Sequence, residues 1–288
     1  MIELLSKLMF CWIPFKQLRR RLRGQWLRKL TKSKVEKGHK KYYLLTDSLM
    51  ESYCSKNTLI TPKSKILIIA PHPDDEILGC GGLMLKYASQ CDCLCLSSSG
   101  FKREMDTKSF KEISDERISE YHNVLDYVGI KRRWIFPVYG NIPHYEKIEN
   151  LNAEYKKVLD FYKYDYIFLP GDGDSHREHQ FATKQIIRNL IKDCDFNPST
   201  KMVFYSVWGT IINPNYFEDI SSVHKKKEIA FSLYRSRRTS EVDIFERISG
   251  LNLFYGLFID SKYAEAYRVE NIIEFVSRED DKNWAYFK

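Results

Sequence analysis

Long apolar runs are absent from this 288-residue chain. No stretch approaches the ~18 uninterrupted apolar residues of a membrane-spanning helix. Glycine and proline are sparse, at 13 and 9 residues, which excludes collagen-like and low-complexity architectures. Cysteine is scarce and odd in number, with 7 residues, so a disulfide-stapled secreted scaffold is excluded as well. With 43% hydrophobic residues, the chain is too apolar for disorder and long enough to bury a sizeable core. What the body also lacks is a net positive charge. Residues 1–50 hold 13 Lys/Arg against 3 Asp/Glu, and the remaining 238 hold 33 against 35, so the net +8 belongs to the N-terminal segment. A nucleic-acid-binding domain carries a basic face on its folded body, and no nucleic-acid partner is expected.

The N-terminal segment has no basic region ahead of its apolar residues 1–15 and no small-residue cleavage site, unlike a secretory signal. Beyond Pro14, Leu18, Leu22, Trp26, Leu27 and Leu30 recur at helical spacing among Arg19, Arg20, Arg21, Arg23, Arg28 and Lys29. That pattern predicts a helix lying on an anionic membrane surface through residues 1–34. We divide the chain into a basic amphipathic arm, 1–45, and a globular domain, 46–288. The expected location is cytoplasmic, peripheral on the inner membrane face.

In the body, short apolar runs alternate with helical periodicities. Strands are expected at 65–71, 91–99, 132–137, 164–170 and 202–208, and helices at 77–89, 111–128 (stopping at Gly129), 146–163 and 179–193. A β-α-β-α order argues for an α/β fold, Rossmann-like, with a mostly parallel sheet and helices on both faces. Cys91, Cys93 and Cys95 share one face of a strand, a position for buried thiols and not for a metal. Gly79, Gly81 and Gly82 suggest close helix–strand packing. Lys225, Lys226 and Lys227 are read as a solvated helix face, and 240–262 as an apolar helical insertion.

Open α/β sheets place their sites at the carboxyl ends of strands. Two such ends are crowded with titratable side chains. After the first strand comes Pro71-His72-Pro73-Asp74-Asp75-Glu76, and after the fourth Gly171-Asp172-Gly173-Asp174-Ser175-His176-Arg177-Glu178-His179. His72 and Asp75 are three apart, as are His176 and His179. A His–Asp–His triplet from two strand ends with an open fourth position is the layout of a catalytic zinc site. Water there ionises near neutral pH. Fe²⁺ suits the same ligands.

PHPDDE followed downstream by DSHREH resembles the LmbE/PIG-L family of zinc-dependent N-acetylglucosaminyl deacetylases, over roughly residues 63–270. Arg117 and Glu120 match its R-x-x-E, and Tyr205, Trp208 and 263–269 resemble its later segments. The resemblance implies that His72, Asp75 and His179 bind zinc and that Asp74 is the general base. It further implies that His176 stabilises the oxyanion or protonates the leaving amine, and that Arg117 anchors the sugar. The substrate implied is an N-acetylated sugar or glycolipid, and the products are a free amine and acetate. Three positions in two segments depart from the family pattern. Glu178 replaces an Asp, and Tyr234 and Arg237 replace a His and a Gln in a segment marked by Lys227, Ala230 and Ser236. Tyr234 and Arg237 are therefore expected to touch substrate, the arginine suiting a phosphate or carboxylate. Two rival readings are a glycosyltransferase holding a nucleotide-sugar metal on Asp172 and Asp174, and a catalytically silent sugar-binding protein.

Overall fold

The computed structural model describes residues 59–98, 108–137, 153–156, 160, 163–171, 173–192, 194–236 and 243–277. The expected N-terminal arm, most of the expected 146–163 helix, Asp172 and Arg237 lie outside the described residues.

The first strand, β1 (Ile66–Ala70), is followed by α1 (Asp75–Lys86), β2 (Cys91–Cys95), α2 (Phe110–Val128), β3 (Arg133–Ile135) and β4 (Tyr166–Pro170). A helical run then starts as α3 (Arg177–Phe181), widens into a π-helical turn (Ala182–Ile187) and closes as α4 (Arg188–Lys192). Thereafter come β5 (Lys201–Tyr205), β6 (Tyr216–Asp219), α5 (His224–Ser232), α6 (Ile244–Gly256), β7 (Ala264–Asn271) and α7 (Ile272–Ser277). The strand order is β3-β2-β1-β4-β5-β7-β6. β3 through β5 in that order run parallel, while β7 is antiparallel to both β5 and β6.

Burial on both faces explains the near-continuous apolar strands. Ile66, Ile68, Cys93, Phe168, Val203 and Tyr205 face one core, shared with α1, α2, α5 and α6. Their sequence neighbours Leu67, Ile69, Leu94, Ile167, Met202 and Phe204 face the other, shared with α3, α4 and α7. The period of two thus sorts each strand between two helix layers, and helices do cover both faces. Cys91, Cys93 and Cys95 all enter the first core, as the alternation requires. Burial pushes their thiols up in pKa, so they are inert.

Local chemistry sets the helix ends. Ser109 and Glu112 form a reciprocal capping box at the start of α2, and Gly129, at φ 94, ends it. The glycines of α1 are packing residues. A Cβ at Gly79 would lie 2.2 Å from the Tyr205 ring, and one at Gly82 2.3 Å from Ile220.

Three features depart from expectation. The π-helical turn interrupts the helix expected over 179–193, where the Thr183 hydroxyl donates to Pro170 O. β6 and β7 were not foreseen, because Ala264-Glu265-Ala266-Tyr267 carries few of the branched residues that mark a strand. Lys227 is not on a solvated face. It is wholly buried, with Nζ 2.7 Å from Glu265 Oε1 and 2.9 Å from Leu78 O. Its spacing to Ala230 and Phe231 puts it on the inner side of α5, while Lys225 and Lys226 stay exposed. Glu265 also accepts from Gly82 N and Leu83 N. This buried pair ties α5 and β7 to the helix that carries the site.

Candidate active site

The chain leaves β1 toward β2 and β3 on one side, then crosses back to place β4 on β1's other flank. The carboxyl ends of β1 and β4 therefore form the crevice where such folds bind ligands. Both motif clusters sit there. His72 lies between two prolines, which keep it out of the helix that follows. Asp75 opens α1, and His179 is in the first turn of α3. The strand ends bring together side chains about a hundred residues apart.

Ligand atoms of His72, Asp75 and His179 lie within 4.8 Å of one another, and all three residues are buried. Asp75 Oδ2 is the hub. It stands 3.3 Å from His72 Nδ1 and 3.1 Å from His179 Nε2, and it accepts the His72 backbone N–H at 3.0 Å. His179 Nε2 nevertheless makes no hydrogen bond among the described residues, as expected of atoms aimed at a common third point. The outer ring nitrogens are both committed. His72 Nε2 is 2.6 Å from Glu178 Oε2, and His179 Nδ1 is 3.0 Å from Asp174 Oδ2. A proton on each outer nitrogen leaves a lone pair on each inner one. Carboxylate–histidine pairs of this kind orient metal ligands. The donor set and its tautomers thus fit a divalent cation such as Zn²⁺.

Electrostatics agree. Burial opposes a charge on His179, but Asp75 and Asp174 outweigh it and raise its pKa to about 10. Burial likewise opposes charging His72, and hydrogen bonds to Asp75 and Glu178 raise it. Burial favours a neutral Asp75, yet His179 and His72 hold it well below the usual carboxylate range. The carboxylates call for positive charge between them, which protons or a metal can supply. A metal must displace those protons. Zinc affinity should therefore keep rising from pH 6 through pH 9, past the ordinary histidine pKa, with proton release on binding. Calorimetry in buffers of different ionisation enthalpy measures this. An affinity that levels off near pH 6.5 contradicts the arrangement.

Asp74 stands at the start of α1, but its side chain makes no capping hydrogen bond. Its carboxylate is therefore not engaged by the helix. Burial, and then the charge of Asp75, push its pKa up to about 7, against the pull of Arg117. Such a group can exchange a proton near neutral pH. Arg117 reaches in from α2, with Nη2 donating to Pro73 O at 3.0 Å, while its buried Nε has no partner among the described residues. His176 packs its ring 4.6 Å from that of His179 and 5.7 Å from that of His72, centroid to centroid. Burial and these two neighbours lower its pKa. Its buried Nδ1 has no hydrogen-bond partner among the described residues.

Other expectations change. Glu178, at a position where the family pattern has Asp, sets its carboxylate on His72, and among the described residues His176 Nδ1 has no hydrogen-bond partner. Tyr234 does not line the crevice. It is 2% exposed and donates its hydroxyl to Glu76 Oε1, because its place at the end of α5 turns it into the core behind α1. Asp174 cannot serve a nucleotide-sugar metal. It is fully enclosed, its carboxylate taken by His179, His176 N, Val207 N and Trp208 N. It is instead a support of the site. The available signal was its spacing, two residues before one histidine and five before another. Trp208 stands at the rim, 47% exposed, its ring centroid 6.0 Å from that of His176.

Residues 67–191 match the family model described as PIG-L, GlcNAc-PI de-N-acetylase. No curated protein sequence matches the chain. Among solved structures, the N,N'-diacetylchitobiose deacetylase of Pyrococcus horikoshii is similar, with TM-score 0.58, 21% identity, and 86% of this chain and 97% of that one covered. A deacetylase of teicoplanin biosynthesis aligns with TM-score 0.55 and 13% identity, covering 76% of this chain and 100% of that one. The 4-carboxy-2-hydroxymuconate hydratase GalB of Pseudomonas putida aligns with TM-score 0.55 and 16% identity, covering 72% and 95%. The shared fold thus carries more than one reaction, and the choice rests on the site.

Proposed function

From a chain that carries a PIG-L (LmbE-like) domain over residues 67–191, we propose a metal-dependent hydrolase that removes the acetyl group from an N-acetylated amino sugar. One observation carries the reading. A carboxylate left out of helix capping, Asp74, stands beside a buried His–Asp–His cluster whose tautomers are fixed by two further carboxylates. His72, Asp75 and His179 would hold the ion, Zn²⁺ or Fe²⁺, which when bound polarises the amide carbonyl and acidifies water.

The chain's own residues do the rest. Asp74 takes a proton from the attacking water and returns it to the leaving nitrogen. The C–N bond breaks, and acetate and a free amine result. His176 faces the amide oxygen and donates a hydrogen bond as negative charge gathers there. Arg117 braces the loop that holds Asp74 through Pro73 O, and its guanidinium would anchor the sugar. Trp208 supplies a flat apolar wall for a sugar face. Replacing Trp208 by Ala should raise KM about tenfold, equivalent to about 1.4 kcal/mol, with kcat little changed. Steady-state kinetics of acetate release check this, and a drop confined to kcat contradicts it.

The finer substrate reading is a glycolipid, a lipid-linked sugar or a cell-surface polysaccharide precursor. It rests on the basic amphipathic sequence of residues 16–34, which suits an anionic membrane surface. No helix among the described residues is long and apolar enough to cross a membrane. The test is acetate release by zinc-loaded protein from N-acetylglucosamine, N,N'-diacetylchitobiose and N-acetylglucosaminyl-phosphatidylinositol. No acetate from any of them rejects the proposed reaction.

A further inference from the structure

Asp74 has φ 106 and ψ −28, a region that residues with side chains rarely adopt. It is one of three non-glycine residues with positive φ among those described, the others being Asn213 and Asp260. Such a conformation costs on the order of 1–3 kcal/mol and persists only where neighbours hold it. Glu76 Oε2 accepts the Asp74 backbone N–H at 3.1 Å. Glu76 is wholly buried, and its other oxygen accepts the hydroxyl of Tyr234, itself buried at the end of α5. A buried carboxylate is costly unless its oxygens are matched. Here one oxygen is matched to a tyrosine 158 residues away and the other to the strained peptide.

We propose that Glu76 and Tyr234 are positioning residues for Asp74. Tyr234 orients Glu76, and Glu76 locks the left-handed backbone of Asp74. The Asp74 carboxylate is thereby kept off the helix end and turned to the His72–Asp75–His179 cluster before substrate arrives. The inference rests on the role given to Asp74 above. Glu76 touches neither metal nor substrate, so its effect should appear in turnover and in Asp74's geometry, and not in metal binding.

Two variants separate these. Glu76→Leu keeps the volume and removes the acceptors. Glu76→Gln keeps an oxygen for the Asp74 N–H and an amide for the Tyr234 oxygen. In crystal structures, Asp74 should leave the left-handed region in Glu76→Leu and keep it in Glu76→Gln. With the best of the three N-acetyl substrates as probe, kcat should fall about 100-fold in the Leu variant and within about threefold in the Gln variant. KM should hold, and both should bind about one zinc per chain. Tyr234→Phe should lower kcat about tenfold, and it carries the test if Glu76→Leu fails to fold. The inference is overturned if Asp74 keeps its conformation and kcat stays near wild type in Glu76→Leu (or in Tyr234→Phe where that variant stands in). It is equally overturned if Gln falls as far as Leu, or if zinc is lost along with activity. Wild type that binds zinc and releases no acetate rejects the proposed function instead, and the crystal comparison still decides the positioning.

Discussion

Replacing Asp74 by asparagine should lower kcat for acetate release about 10³-fold, within the range for a lost general base, and leave zinc binding intact. The two halves of this result come from different atoms. Asn keeps the size and the backbone N–H that Glu76 accepts, so the loop and the cluster stay in place. It cannot take a proton. The Asp74 carboxylate makes no capping hydrogen bond whose loss would unravel α1. Removing a half-buried carboxylate from beside Asp75 should if anything steady the fold, since burial and Asp75 both work against its charge. Elemental analysis, thermal melting and acetate release on one preparation give all three readings. A variant that keeps a tenth of wild-type turnover contradicts the role assigned to Asp74.

The second large effect is expected at His179. His179→Ala should abolish zinc binding and turnover together, and it should also destabilise the domain. The imidazole lies between two buried carboxylates, 3.1 Å from Asp75 Oδ2 and 3.0 Å from Asp174 Oδ2. Its loss leaves that negative charge uncompensated, which costs roughly 3–5 kcal/mol where a buried pair is broken. For a domain of this size, melting should fall by roughly 10 °C. His176→Ala provides the contrast, because that ring is not among the cluster's ligands. It should lose turnover and keep zinc. If His179→Ala binds zinc as wild type does, the ligand set is wrong.

The readable part of this molecule was local. PHPDDE and DSHREH each concentrate their chemistry within a few residues, and short buried strands announce where those residues emerge. The period-two sorting of Cys91, Cys93 and Cys95 to one face was equally readable. The unreadable part was long-range. Nothing near Glu178 says that it reaches His72, 106 residues away, and nothing near Tyr234 says that it meets Glu76. Lys227 sits in a run of lysines, and only its pairing with Glu265 distinguishes it from its solvated neighbours. The spacing of Asp174 to Asp172 suggests a metal ligand, whereas the backbone of Val207 and Trp208 decides what it does. Strands β6, at the sheet edge, and β7, beside it, have no such apolar pattern, because partner strands and a buried charge hold them.

The proposed acetamide cleavage requires a cation bound by the His72–Asp75–His179 cluster. Metal removal and return tests it most directly. Chelator-stripped protein is assayed for acetate and free amine on N,N'-diacetylchitobiose and N-acetylglucosaminyl-phosphatidylinositol, then again after stepwise addition of zinc. No release is expected without metal, and recovery should be complete at about one zinc per chain, with acetate and amine appearing in equal amounts. Release that survives stripping, or none with zinc bound, would contradict it.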